Sequence, residues 1–389
     1  MLITAHPKTG RQRRRLSFIA ALSAMLLLTL SAAACSSSGS SSSASSGAGS
    51  SASSTAGTTT TSSKPLAGKK ILVVPYWLDN FNTAYTSWLN RLLSAEGASV
   101  TVINANAVAS RQLNAITSAI DTGQYDGIIW APIDLGTANN TVNQIAKAGI
   151  SQVVFEGDLP SSVHVPQVNL DEQTSLTAAG VIAAQYIKAH PALGSAPLAA
   201  FMGVYPQNAT CVLRMHSFLS GMQSVMPNAK VVYFGAANGE SDAANKMGDF
   251  ITGGTKFNVT DGCGSASTLG VLDALKSAGM AGATNKTPQK VFIMTQDGTP
   301  PELQSLWNEN SSLMISSLLP PKTGAQETAA LLTKVMTKQI PLDSTQNVEF
   351  GWTPITPNCA KWRPIVVDQF AGVPGFNVPA CSFTYTGSS

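Results

Sequence analysis

The chain has few of the residues from which catalytic and metal centres are usually built. It has 4 histidines and 5 cysteines in 389 residues, and no Cys or His pair stands at a metal-ligand spacing such as CxxC or HxxxH. Neither a metal nor a cofactor is therefore expected. No serine sits in a GxSxG elbow and no SxxK occurs, which removes the commonest serine nucleophile signatures. Cys211 is followed by arginine three positions later, not at the spacing of a phosphatase loop. No basic patch is present, so nucleic acid is not an expected partner. The longest apolar run, Leu16 to Leu30, is too short to span a bilayer comfortably.

That run lies behind a positive head of Lys8, Arg11, Arg13, Arg14 and Arg15 and ahead of Ala32-Ala33-Ala34-Cys35. Residues 1–34 read as a cleaved export signal. The pattern resembles a bacterial lipoprotein signal, which implies lipidation of Cys35 and anchoring to the outer face of the cell membrane. Ser36 to Ser63 contains only Ser, Thr, Ala and Gly. Such a stretch cannot bury enough apolar surface to offset ordering, so residues 35–66 are expected to form a flexible tether. Gly/Ser-linker scaling gives it a reach of roughly 30 Å. Five positive charges belong to the signal, so the chain's formal +3 becomes about −2 in the exported part. The four remaining cysteines, Cys211, Cys263, Cys359 and Cys381, suit an oxidising compartment. Three pairings are open, and Cys211–Cys263 with Cys359–Cys381 is favoured. The second pair would staple a tail that lacks helical periodicity.

From Lys69 onward strands and helices alternate. Ile71 to Val74, Val100 to Ile103, Asp126 to Trp130 and Val153 to Phe155 are short apolar runs suited to buried strands, with helices between them. Strands joined by such helices need parallel crossovers. A second round follows from Thr174 to Ser317. The expected fold class is α/β, with two similar doubly wound parallel-sheet lobes joined by hinge strands. The lobes are placed at 67–169 plus 319–340 and at 170–318 plus 341–357, with a tail at 358–389. Hinge crossings are expected near Asn169, Leu318 and Ile340.

Several segments carry a resemblance. Asp79-Asn80-Phe81 follows the first strand, Ala131-Pro132-Ile133-Asp134 the third, and Arg214 lies near the start of a helix. Asp297-Gly298-Thr299-Pro300 forms a late turn. In this order the chain from Lys69 to about Thr356 resembles type I periplasmic binding proteins of sugar transporters, the ribose-binding-like group. The resemblance implies a solute-binding lipoprotein that captures a sugar or sugar-like metabolite between its lobes. It also implies an ABC transporter permease as partner and a monomeric state. Two positions of the family's first loop are Asn80 and Asn82 here, which alters the stacking surface.

In open parallel sheets, ligands sit beyond the carboxyl ends of strands. Asp79, Asp134, Glu156, Asp158, Asp261 and Asp297 all follow expected strands there. With Arg214 they supply acceptors and a forked donor for hydroxyl groups. Asn80 stands in the same first loop, and Trp77 and Phe81 offer apolar faces to a sugar ring. Asp297 and Arg214 are expected to matter for binding while leaving unliganded stability nearly unchanged. The same cleft would serve a ligand-sensing subunit of a membrane receptor. A glycoside hydrolase using Glu156 and Asp158 is the alternative of a different class.

Overall fold

The computed structural model describes residues 64–204, 209–281, 290–308 and 313–382. The export signal, Cys35 and the tether up to Ser63 lie outside these residues. Leu66, assigned to the tether from sequence, is instead buried, because its N–H bonds to the Glu96 carbonyl and its side chain enters a core.

The first lobe starts with β1 (Lys70–Val74), α1 (Asn80–Ala95), β2 (Ser99–Val102), α2 (Ala109–Thr122) and β3 (Gly127–Trp130). It continues with α3 (Leu135–Lys147), β4 (Ser151–Phe155) and β5 (Gln167–Leu170). The second lobe carries α4 (Glu172–Ala189), β6 (Leu198–Val204), α5 (Ala209–Val225), β7 (Lys230–Ala237) and α6 (Glu240–Thr252). After these come β8 (Val259–Gly262), α7 (Ser265–Ser277), β9 (Phe292–Asp297), α8 (Pro300–Trp307) and β10 (Leu313–Leu318). The chain then returns through α9 (Pro321–Met336) and ends in β11 (Asn347–Phe350), β12 (Thr353–Ile355) and α10 (Cys359–Gln369).

Two six-stranded sheets result, ordered β11-β5-β4-β3-β1-β2 and β12-β10-β9-β8-β6-β7. All pairings are parallel except β10 with β12. The central strands β3 and β4 are buried along their whole length, as continuous apolar runs between two helical layers must be. Edge strand β2, with Ser99 and Thr101, faces solvent.

The chain passes between lobes at Asp171, again between Leu318 and Pro321, and a third time at Gly351–Trp352. The third passage is not near Ile340, because β11 still pairs with β5 from Asn347 to Phe350. The tail also departs from expectation. Cys359 to Gln369 is helical despite Pro364 inside it, with Asn358 accepting from the Lys361 N–H at its start. Trp88 donates to the Gln369 carbonyl at 2.7 Å and Lys322 pairs with Asp368 at 2.6 Å, which docks this helix on the first lobe. Cys359 is buried in the second lobe's core cluster. The cysteines pair as Cys211–Cys263 and Cys359–Cys381.

Helices α4 and α5 meet backbone to backbone. A Cβ on Gly180 would lie 2.1 Å from the Phe218 carbonyl oxygen, and one on Gly221 2.0 Å from that of Thr177. Only glycine permits this approach, and it brings the first residue of α4 beside α5. Gly221→Ala is expected to force the helices apart at a cost of about 1–3 kcal/mol, read as a lower melting temperature in differential scanning calorimetry. An unchanged melting temperature would contradict the close packing.

Candidate functional site

A cavity of about 720 Å³ lies between the lobes, at the carboxyl ends of both sheets. Trp77, Asp79, Asn80, Phe81, Glu156, Asp158, Arg214 and Asp297 all line it. Asp134 and Asp261, two other residues singled out from sequence, do not. Asp134 is exposed and caps α3 through the Gly136 N–H at 2.9 Å. Asp261 is buried within β8, where Gln296 and the Gly262 N–H take one oxygen each, both at 2.8 Å. Asp134 follows a strand and Asp261 lies inside one, and neither side chain reaches the cavity wall.

Each lining carboxylate is held by its own local structure. Asp79 is the N-cap of α1, accepting from the Asn82 N–H at 2.7 Å and from the Asn82 side chain at 3.1 Å. Its other oxygen accepts from Trp77 Nε1 at 2.6 Å. A helix cap and a cavity wall are thus the same residue. Asp297 accepts from the Ser265 N–H at 2.8 Å, which ties the end of β9 to the start of α7.

Three of these residues adopt left-handed backbone, with φ of 52° at Glu156, 42° at Asp158 and 98° at Asp297. Such conformations are costly for non-glycine residues and persist where surroundings enforce them. Around Glu156 and Asp158 the enforcement is visible. Asn169 on β5 accepts from the Gly157 and Asp158 N–H groups at 3.1 and 3.2 Å. Gln167 bonds Leu159 in both directions, at 2.9 and 3.0 Å. Between them Gly157 is required, since a Cβ there would meet Val154 at 2.3 Å.

Arg214 is 8% exposed and donates through Nε and Nη2 to one oxygen of Glu172, at 3.0 and 2.6 Å. Its guanidinium also lies 4.8 Å from the Trp352 ring centroid. Burial works most strongly against its charge, but Glu172, through charge and hydrogen bonding, together with Asp297 and Glu156, raises its pKa overall. Glu172, at the first position of α4, was not singled out from sequence, because an acid in a first helical turn is ordinarily a solvated partner of the helix dipole. Tyr76, Glu240 and Gln304 also line the cavity and were likewise passed over.

The aromatic residues divide by role. Phe81 is 3% exposed and belongs to a stack that runs through Tyr85 and Phe155 to Phe350. Trp77 is half-buried and meets Tyr76 edge to face at 5.8 Å, so these two rings offer the larger free apolar surface.

The electrostatics are dominated by acid. Burial first, and then the nearby Asp297 charge, raise Asp79 to about 6 against the hydrogen bonds it accepts. Glu156 is pushed up to about 8, chiefly by burial; Arg214 opposes this, while Glu172, Asp79 and Asp297 add to it. Asp297 is raised by burial, with Arg214 and the Ser265 N–H opposing. Among the described residues no group of three His, Cys, Asp or Glu side chains is disposed to hold a metal ion.

A carboxyl whose pKa rises on folding binds more protons in the folded than in the unfolded chain between the two values. For Glu156 the window runs from 4.5 to about 8, and unliganded stability should fall as pH rises through it. Glu156→Gln should flatten that decline and melt about 2–4 °C above the parent once pH exceeds about 8. Superimposable stability–pH curves would contradict the burial of this group. Arg214→Ala would strand the Glu172 carboxylate and is expected to cost about 3–5 kcal/mol in denaturant unfolding. The buried pair with Glu172 thus ties Arg214 to stability, in contrast to the expectation that its loss leaves unliganded stability nearly unchanged.

A model for the periplasmic binding protein domain matches residues 71–339, more than half of the chain. Comparison with curated proteins returns no match. Among solved structures, the chain resembles a solute-binding protein of an ABC transporter from Bacillus halodurans C-125, which holds myo-inositol. Identity is 17%, coverage 77% of this chain and 98% of that one, and the TM-score 0.63. The periplasmic binding component of the arabinose ABC transporter from Shewanella sp. ANA-3, bound to L-arabinofuranose, aligns at 16% identity over 80% and 100% of the two chains, with a TM-score of 0.66. A Mycobacterium smegmatis protein in complex with β-D-fucofuranose aligns at 19% identity over 78% and 97%, with a TM-score of 0.64. At these identities the solved structures establish the shared fold.

Proposed function

The chain belongs to the periplasmic binding protein domain family, and from that membership we propose that it captures a small hydroxylated ligand between its lobes and delivers it to an ABC importer. The observation that carries the proposal is the placement of fixed polar groups on both sides of one cavity. Asp79, Glu156 and Asp158 come from the first lobe; Arg214 and Asp297 come from the second. A ligand touching both sets is held fully only when the lobes close, so binding shifts the hinge equilibrium toward the closed form. Carboxylates accept from hydroxyl groups, Arg214 donates to them, and Trp77 with Tyr76 covers an apolar ring face. The solved relatives hold a polyol or a furanose sugar, in keeping with this class of ligand.

The permease would read the closed pair of lobes. Lipidation at Cys35 would keep the protein at the outer face of the cell membrane, with residues 36–63 as the tether. No helix among the described residues is long and apolar enough to cross a membrane. A single chain suffices for the cavity, in line with a monomer.

Small-angle scattering across a panel of aldoses, ketoses and polyols, including myo-inositol and L-arabinose, tests the proposal. At least one compound should compact the protein, and calorimetry should then show saturable binding. Asp297→Asn, which tolerates the left-handed backbone at this position, should weaken that binding by about tenfold or more. A profile that never compacts, or unaltered affinity in the variant, would refute the placement of the site.

A further inference from the structure

We propose that the ligand is a cation, a hydroxylated small molecule carrying a protonated amine, such as an amino sugar or an amino polyol. The inference rests on the binding reading above and assigns its ligand class.

Charge balance around the cavity is the starting point. Seven carboxylates and two cations line it. Both cations already have partners: Arg214 lies against Glu172 at 2.6 Å, and Lys276 stands 3.9 Å from Asp273. Of the remaining acids, Asp79 and Asp297 accept hydrogen bonds from neutral groups, and the cation that acts on Asp297, Arg214, is already paired with Glu172 and also acts on Glu156. Among the described residues none donates a hydrogen bond to the side chain of Glu156.

A second observation is independent of that count. Glu172 is 3% exposed and lines the cavity, and Arg214 uses only its Oε1. Its other oxygen, Oε2, is buried with no hydrogen-bond partner among the described residues. A buried carboxylate oxygen without a donor is an acceptor held ready for one. Glu172 and Glu156 lie close enough to repel each other electrostatically, one on each lobe.

A neutral polyol donates hydrogen bonds to such oxygens but brings no charge, and lobe closure would then seal mutually repelling carboxylates away from water. An ammonium group brings three donors and the missing positive charge together. Carboxylates spread along the wall, rather than converging on one point, suit an organic cation with hydroxyls better than a metal ion. The raised pKa of Glu156 fits the unliganded form of such a site. Arg214 is its one attractive neighbour, and Glu172, Asp79 and Asp297 all disfavour its charge.

Calorimetry on the full-length protein at neutral pH and low salt provides the test. The probes are glucosamine, galactosamine and mannosamine, each beside its neutral parent hexose and its N-acetyl derivative. At least one amine should bind about tenfold or more tighter than both of its uncharged counterparts. Added salt should weaken the amine more than the neutral sugar. Glu156→Gln, checked for folding by circular dichroism, should narrow the preference for the amine. A neutral hexose binding as tightly as its amine would overturn the cationic assignment while leaving ligand capture intact. Binding by none of the nine compounds would also overturn it for amino sugars, and scattering with the broader panel would then judge capture separately.

Discussion

Arg214 donates twice to one oxygen of Glu172 and lies over the ring of Trp352, and these three residues sit where the lobes join. Glu172 opens α4 directly after the first passage between lobes, Trp352 stands in the third, and Arg214 comes from the body of the second lobe. The Trp352 N–H bonds to Ser175 Oγ at 3.1 Å, which ties the third passage to the same helix. A buried ion pair gains little net stability over apolar packing, yet losing one partner is expensive. The pair therefore constrains geometry more than it adds stability. It fixes the hinge side of the cavity and places one guanidinium among several carboxylates.

The contact has its origin in two glycines. Gly180 and Gly221 let α4 and α5 approach until backbone touches backbone, and at that separation Glu172 and Arg214 meet. The tail adds a further tie between lobes. α10 docks on the first lobe through Trp88 and Lys322, while Cys359 sits in the second lobe's core and the Ser382 N–H bonds to Asn308 at 2.9 Å. Any hinge motion has to carry this strap or bend beside it, so three crossings alone do not define the freedom of the lobes.

Much of this was legible in the sequence. Ile71 to Val74 and Asp126 to Trp130 are apolar on both faces, a pattern that parallel central strands share. Asp79 and Asp297 follow strand ends, where an open sheet leaves its cleft. The failures share a cause, dependence on distant partners. Glu172 looks like an ordinary first-turn acid until Arg214, far along the chain, is packed against it. Asp261 looks like a strand-end ligand until Gln296 on the neighbouring strand takes its oxygen. α10 carries Pro364 and buries only Cys359 and Val366, so no apolar stripe announces it. β11 and β12 are too short, at 4 and 3 residues, for alternation to register.

The cavity carboxylates are held before any ligand arrives. Asp79 caps a helix, Asp297 is fastened to the start of α7, and Glu156 and Asp158 are held in left-handed backbone by Asn169 and Gln167. Ordering these side chains is thus charged to folding, and little of it remains to be met on binding. The same fixity prevents the acids from turning away from one another when the cavity is empty. Burial is the first cause of their raised pKa values, and the mutual repulsion that this fixity preserves adds to the rise at Asp79 and Glu156. The stability that the empty protein forgoes is recovered by whatever guest best neutralises or hydrogen-bonds the wall. On the proposed reading, a site built this way selects first by charge and donor number, and only then by the shape of the ring.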